Sequence, residues 1–168
     1  MLKLRPFEAQ DAKYILSWTK DEEAFRKWSA DRYETYPAKP EDMIQMYEGT
    51  ENFYPVTAID ESGIVGHLIL RFTDDEKSIV RFGFVIVDDT KRGMGYGKGM
   101  LNLAIRYARD ELGAKKITLG VFENNAEAEY CYREVGFKGV DAPEEYYHVL
   151  GQDWKCLEME YDFEEKTV

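Results

Sequence analysis

The chain has 168 residues, of which 22 are Lys or Arg and 33 are Asp or Glu, giving a net charge of −11 and a pI near 4.7. This length suits one domain over residues 1–168, and 44% hydrophobic and 14% aromatic residues suffice for a core without disulfide or metal staples. The acidity excludes a large phosphate-backbone-binding surface, so nucleic acid is not an expected partner and amines are favoured instead. Met1-Leu2-Lys3-Leu4-Arg5-Pro6 lacks the apolar stretch of a signal peptide, and no apolar run reaches the ~18 residues of a membrane span. A cytoplasmic protein with no membrane partner is expected. Cys131 and Cys156 are the two cysteines, with no Cys-x-x-Cys and no histidines clustered about them, so no metal site is expected.

Leu2 and Leu4 alternate with charged residues over Leu2–Phe7, which predicts a short first strand ended by Pro6. Asp11 stands where a helix cap would, and Tyr14, Ile15, Trp18 and Phe25 recur at near-helical spacing. They predict one helix up to about Lys20 and a second over Glu22–Trp28. Pro40-Glu41-Asp42 opens a third, since proline and two acids suit a helix N-terminus. The period then changes. Phe53–Ile59, Ile64–Phe72 and Ile79–Val87 are rich in β-branched and aromatic residues, and the turns Asp60-Glu61-Ser62-Gly63 and Asp74-Asp75-Glu76-Lys77 join them into an antiparallel meander. The longest helix is predicted over Gly97–Leu112, then a strand over Lys116–Phe122 and a helix over Ala126–Val135. The tail reads as a strand pair, Tyr146–Leu150 and Leu157–Phe163, broken by Gly151-Gln152-Asp153. The coarse fold is α+β, layered around one twisted sheet.

The sharpest signal is Val87-Asp88-Asp89-Thr90-Lys91-Arg92-Gly93-Met94-Gly95-Tyr96-Gly97-Lys98-Gly99, between a strand and the start of the longest helix. Glycines there let backbone approach a ligand closely, and the free N–H groups of a helix start favour an anion. Two other phosphate loops fail on spacing. A P-loop needs glycine where Arg92 stands and a hydroxyl where Gly99 stands. The Gly-x-Gly-x-x-Gly dinucleotide fingerprint would end on Lys98, Met100 or Asn102.

Arg92-Gly93-Met94-Gly95-Tyr96-Gly97 resembles the Arg/Gln-x-x-Gly-x-Gly/Ala pyrophosphate loop of the GNAT acetyltransferase superfamily. Glu123 to Phe137 is similar to that family's Asn…Ala…Tyr-x-x-x-Gly-Phe segment. Leu2–Phe7 and the helix through Trp18 also resemble the opening of the branch containing ribosomal-protein N-terminal acetyltransferases. The resemblance implies an acyl-CoA N-acyltransferase fold, with a mixed, mostly antiparallel twisted sheet flanked by helices. It also implies acetyl transfer from acetyl-CoA, without metal, to an amine of a protein N-terminus or a small molecule. The alternative is a CoA-binding regulator or scaffold without catalysis. No oligomeric state follows.

Residue by residue, the resemblance implies that backbone N–H groups of Arg92, Gly93, Met94, Gly95, Tyr96 and Gly97 bind the CoA pyrophosphate, with Lys98 adding charge. Val85 and Val87 offer backbone to the pantetheine arm, and Asn125 holds that arm or caps its helix. Tyr132 protonates the departing thiolate, a role that a neutral phenol suits. Tyr130 points elsewhere on the helix, and Cys131 reads as an inert thiol. The family's fourth-strand carboxylate is missing from Arg81-Phe82-Gly83-Phe84-Val85-Ile86-Val87, which leaves Glu123, Asp31, Glu34 or His67 as substitute bases. Trp18, Phe25, Trp28, Tyr33, Tyr36, Phe53 and Tyr54, with Asp31 and Glu34, would give an aromatic and acidic pocket for a cationic amine.

Overall fold

The computed structural model describes residues 1–166; the last two residues of the expected 1–168 domain lie outside them. Strand β1 (Lys3–Pro6) leads through a 3-10 turn (Ala9–Asp11) to helices α1 (Ala12–Ser17), α2 (Glu22–Ser29) and α3 (Pro40–Glu48). The meander follows as β2 (Phe53–Asp60), β3 (Gly63–Phe72) and β4 (Ile79–Val87). After it come α4 (Tyr96–Asp110), β5 (Lys116–Phe122), α5 (Ala126–Val135), β6 (Lys138–Gly139), β7 (Glu145–Val149), β8 (Gln152–Asp162) and α6 (Phe163–Lys166). The strands form one sheet in the order β1-β2-β3-β4-β5-β8-β6, with β7 also on β8. Every pairing is antiparallel except β4 with β5. No helix among the described residues is long and apolar enough to cross a membrane.

Local chemistry explains most boundaries. The Asp21 carboxylate accepts from the Ala24 N–H at 2.8 Å and starts α2. Pro40 opens α3, while Asp42 accepts from the Lys39 N–H at 2.9 Å. Helix α1 stops at Ser17 rather than Lys20, because the Thr19 hydroxyl turns back onto the Leu16 carbonyl at 2.8 Å. Strand β8 starts at Gln152, earlier than the expected Leu157. The break is a two-residue turn, Leu150-Gly151, with both residues at positive φ, the backbone of a tight hairpin.

Asp11 does not cap α1 with its side chain. It is 2% exposed and accepts from Arg5 at 2.8 and 2.9 Å, from the Thr57 hydroxyl at 2.8 Å and from the Glu8 N–H at 2.9 Å. Burial alone would push its pKa up. The bonds to Arg5, the Glu8 N–H and Thr57 outweigh that and hold it below the ordinary carboxylate value.

A core lies on each face of the sheet. Leu68, Leu70, Val80, Phe82, Leu101, Ile105, Ile117, Leu119 and Met159 pack with α4 and α5 in the larger one. Ile15, Phe25, Met43, Tyr47, Ile69, Phe84 and Ile86 pack with α1 to α3 in the other. Phe82 and Phe84 are two apart on one strand yet belong to different cores. A β-bulge separates them: the register of β3 with β4 shifts between His67/Ile86 and Ile69/Gly83, and Phe84 has φ 51°. The extra residue reverses the alternation, so above it Val85 and Val87 face the larger core.

Candidate active site

Strands β4 and β5 run side by side only where Ile79, Val80 and Arg81 meet Lys116, Ile117 and Thr118. Beyond Arg81 they part. Leu119 to Phe122 pair with β8, and from Phe82 to Val87 the β5-facing edge of β4 carries no strand. A parallel pair that opens in mid-sheet leaves main-chain donors and acceptors for an extended ligand.

The loop after β4 is held from below. The Asp88 N–H donates to the Val65 carbonyl at 2.8 Å, and its carboxylate accepts from the Thr90 N–H at 2.9 Å and the Thr90 hydroxyl at 2.8 Å. Gly93 has φ 80°, and Gly95, the residue ahead of α4, has φ 85°, so the backbone here is left-handed. Among the described residues no acceptor meets the N–H of Arg92, Gly93, Met94, Gly95, Tyr96, Gly97 or Lys98; the Gly99 N–H bonds to the Gly95 carbonyl at 3.0 Å. This run of free donors at the positive end of a four-turn helix is built for an anion.

Side chains of the loop do other work. Tyr96 donates its hydroxyl to Asp60, fastening the helix start to the β2–β3 turn. Arg92 and Met94 are exposed. Lys98 pairs with Glu134 of α5 at 3.2 Å, and this bond holds the ammonium pKa above its ordinary value. Its charge is thereby shared with α5 rather than reserved for the loop. A Cβ at Gly97 would stand 3.4 Å from Cys131 Sγ, so the start of α4 touches the middle of α5.

Asn125 precedes α5 and makes no capping bond with its side chain; its main chain accepts from the Glu129 N–H at 3.1 Å. The amide is therefore available to a ligand. Tyr132 is 7% exposed, packs edge-on against Phe137 and joins the core that Val85 and Val87 border. Burial holds its phenol protonated far above neutral pH, and its hydroxyl has no hydrogen-bond partner among the described residues. Burial likewise raises the Cys131 thiol, the state of an inert sulfur.

The opening between β4 and β5 widens into a cavity of about 120 Å³, lined by Lys27, Trp28, Arg32, Ile69, Arg71, Arg81, Phe84, Gly120, Phe122, Tyr147 and Cys156 among others. The expected acidic wall is absent, since neither Asp31 nor Glu34 lines it. Of the expected aromatic residues Trp28 does, whereas Trp18, Phe25 and Tyr33 are buried in the second core and Tyr54 packs on the first. The substitute bases fare no better. Glu123, Asp31 and Glu34 are exposed and lie off the cavity. His67 is fully buried, 2.7 Å from the Tyr47 hydroxyl, and burial lowers its pKa to about 4, leaving it neutral inside the second core. Sequence reasoning missed Arg71 and Arg81, which lie three residues before and four residues after the Asp74–Lys77 turn and become cross-strand partners through the register of the hairpin. No group of three or more His, Cys, Asp or Glu that could hold a metal occurs among the described residues.

Known proteins share this fold. A spermine/spermidine N(1)-acetyltransferase of Bacillus subtilis (strain 168) is 31% identical over 94 residues, covering 51% of this chain and 60% of that protein's length. The crystal structure of the Vibrio cholerae spermidine N-acetyltransferase with CoA and spermine superposes with a TM-score of 0.83 at 20% identity, over 99% of this chain and 98% of that one. A chimera of the Vibrio cholerae enzyme and hSSAT gives 0.81 at 19%, over 99% and 98%. Both share the fold. The model of the acetyltransferase (GNAT) family matches residues 21–137, most of the chain, with the splayed strands, the glycine loop and α5 inside it. With sequence and architecture in agreement, this chain belongs to the GNAT acetyltransferase family.

Proposed function

We propose that the chain transfers the acetyl group of acetyl-CoA to the primary amine of a small molecule, as one domain working in the cytoplasm. The observation that carries this reading is the unpaired N–H run from Arg92 to Lys98, set beside a strand edge left open from Phe82 to Val87. The run takes the CoA pyrophosphate, and the edge takes the pantetheine arm through the backbone of Val85 and Val87, with the Asn125 amide on the arm. The thioester then lies where β4 and β5 part. The neutral amine attacks its carbonyl carbon, a C–N bond forms and the C–S bond breaks. The sulfur leaves as thiol with the Tyr132 proton, and the amine's surplus proton restores the balance through solvent.

No carboxylate or imidazole lines the cavity, so the acceptor must enter as free amine. The same observation favours a second reading, a CoA-binding scaffold. Purified chain with acetyl-CoA and an amine panel, including spermine, spermidine, amino acids and a peptide N-terminus, separates the two by released CoA thiol. An enzyme of this design gives rates that rise tenfold per pH unit until the acceptor's own pKa. CoA binding without any thiol release would favour the scaffold.

A further inference from the structure

The chain carries a charge of −11, yet its cavity is lined by Lys27, Arg32, Arg71 and Arg81 and by no carboxylate. Arg71 of β3 and Arg81 of β4 stand directly opposite each other, a like-charge pair that costs stability in a sheet. Arg81 is compensated. It bonds Glu158 of β8 at 2.8 and 3.1 Å and the Thr118 hydroxyl at 3.1 Å, and its guanidinium crosses Gly120, where a Cβ would come within 3.0 Å of Nη2. Arg71 is not. It is half-buried, and no acceptor or carboxylate meets it among the described residues. Burial, then Arg81 and Arg32, lower its pKa. Arg32, three residues past the end of α2, also lacks a carboxylate partner among the described residues, whereas Lys27 has Glu23 at 3.6 Å. Trp28 adds a buried indole N–H without an acceptor. Every unmatched polar group named here is a donor or a cation.

We infer that the cavity binds an anionic group of the acceptor, so that the preferred substrate is a small primary amine bearing a carboxylate or phosphonate, with Arg71 its principal partner and Arg32 at the rim. This rests on the acetyltransferase reading and narrows it. A half-buried guanidinium opposite its like charge gains most from an anion that presents two oxygens side by side, as carboxylates and phosphonates both do, which it can hold through two parallel N–H bonds. The cavity's volume, about that of four waters, fits such a head group while the amine extends toward the thioester. A polyamine would instead bring positive charge against three arginines.

The test compares 4-aminobutyrate and 2-aminoethylphosphonate with n-butylamine, putrescine and spermidine at saturating acetyl-CoA, read as thiol release and product mass. Both acids should exceed butylamine in kcat/KM at least about tenfold, and the better of them identifies the anion. Arg71→Met should raise KM for that acid about tenfold to a hundredfold, a loss at least about tenfold larger than any it causes with butylamine, while the acetyl-CoA KM stays put. Arg71→Lys should recover part of the loss, and Arg32→Gln should cost a few-fold. Faster acetylation of spermidine or butylamine, or an unmoved KM in folded Arg71→Met, overturns the inference and leaves the acetyltransferase reading standing. If no amine releases thiol, that reading fails instead. Calorimetric titration of 4-aminobutyrate into CoA-loaded wild type and Arg71→Met then decides the subsite: binding lost with Arg71 supports it, and no binding to wild type overturns it.

Discussion

The loop from Arg92 to Lys98 offers a ligand its backbone, whereas the cavity between β4 and β5 offers side chains. In the loop, Tyr96 and Lys98 turn their polar ends to Asp60 and Glu134, and the main-chain donors are left for the anion. In the cavity, α2, β3, β4, β5, β7 and β8 each contribute a side chain or a close approach. A site made of backbone depends on φ and ψ and is indifferent to most substitutions. A site made of side chains depends on identity, and there one family can change its substrate without changing its fold.

The two halves should therefore break in different ways. The proposed mechanism assigns the proton donor to the Tyr132 side chain, and on that reading Tyr132→Phe should lower kcat by ~10²–10⁴-fold with acetyl-CoA affinity unchanged. Wild-type turnover where chemistry limits the rate would reduce Tyr132 to packing.

Loss of fold would blur the comparison, and Asp11 shows what that looks like. Asp11→Ala leaves Thr57 and the Glu8 N–H without their acceptor and Arg5 with only Glu8 and the Pro6 carbonyl, and should cost about 1–3 kcal/mol in urea unfolding, with the CoA affinity of the folded fraction intact. Because the Asp11 pKa is lowered in the fold, its contribution is whole above the ordinary carboxylate value of 3.8 and fades as pH falls through the folded value. The variant's stability should depend less on pH in that acid range. An equal slope for both proteins would remove Asp11 from the acid response.

Gly95→Val addresses the backbone half. Nothing lies within 4 Å of a Cβ there, so the cost is the left-handed φ of 85° alone. A strain of roughly 1–3 kcal/mol, relieved by loop movement, should weaken CoA binding about tenfold to a hundredfold in calorimetry without loss of fold. Arg92→Ala and Lys98→Ala should each cost less than about fivefold, since both side chains are exposed or already paired. A larger loss from either would mean that the loop, too, reads through side chains.

What the sequence reveals follows the same division. The glycine loop is contiguous, and its spacing names both the ligand class and the helix that follows. Strands β4 and β5 and helix α5 have the bounds that periodicity predicts, because alternation and turn residues are local. Arg71 and Arg81 are ten residues apart, and only the register of the hairpin brings them face to face. Asp11 reads as a cap until Thr57, 46 residues away, closes over it. The net charge describes the whole surface and points to a cationic acceptor. The cavity inverts that sign over a few side chains drawn from distant segments, which no composition can report.

The bulge at Phe84 couples the two sites mechanically. Its ring is a wall of the cavity, set against Trp28, Tyr33 and Tyr47, while its main chain is the bulge beyond which Val85 and Val87 face the larger core and their backbone lies on the open edge of β4. On the proposed reading, one residue thus serves as the hinge pin for two ligands. Resizing the acceptor chamber at position 84 would also re-aim the thioester, so altered amine preference is better sought at Arg71 or Trp28, which sit on that chamber's wall and not on its axle.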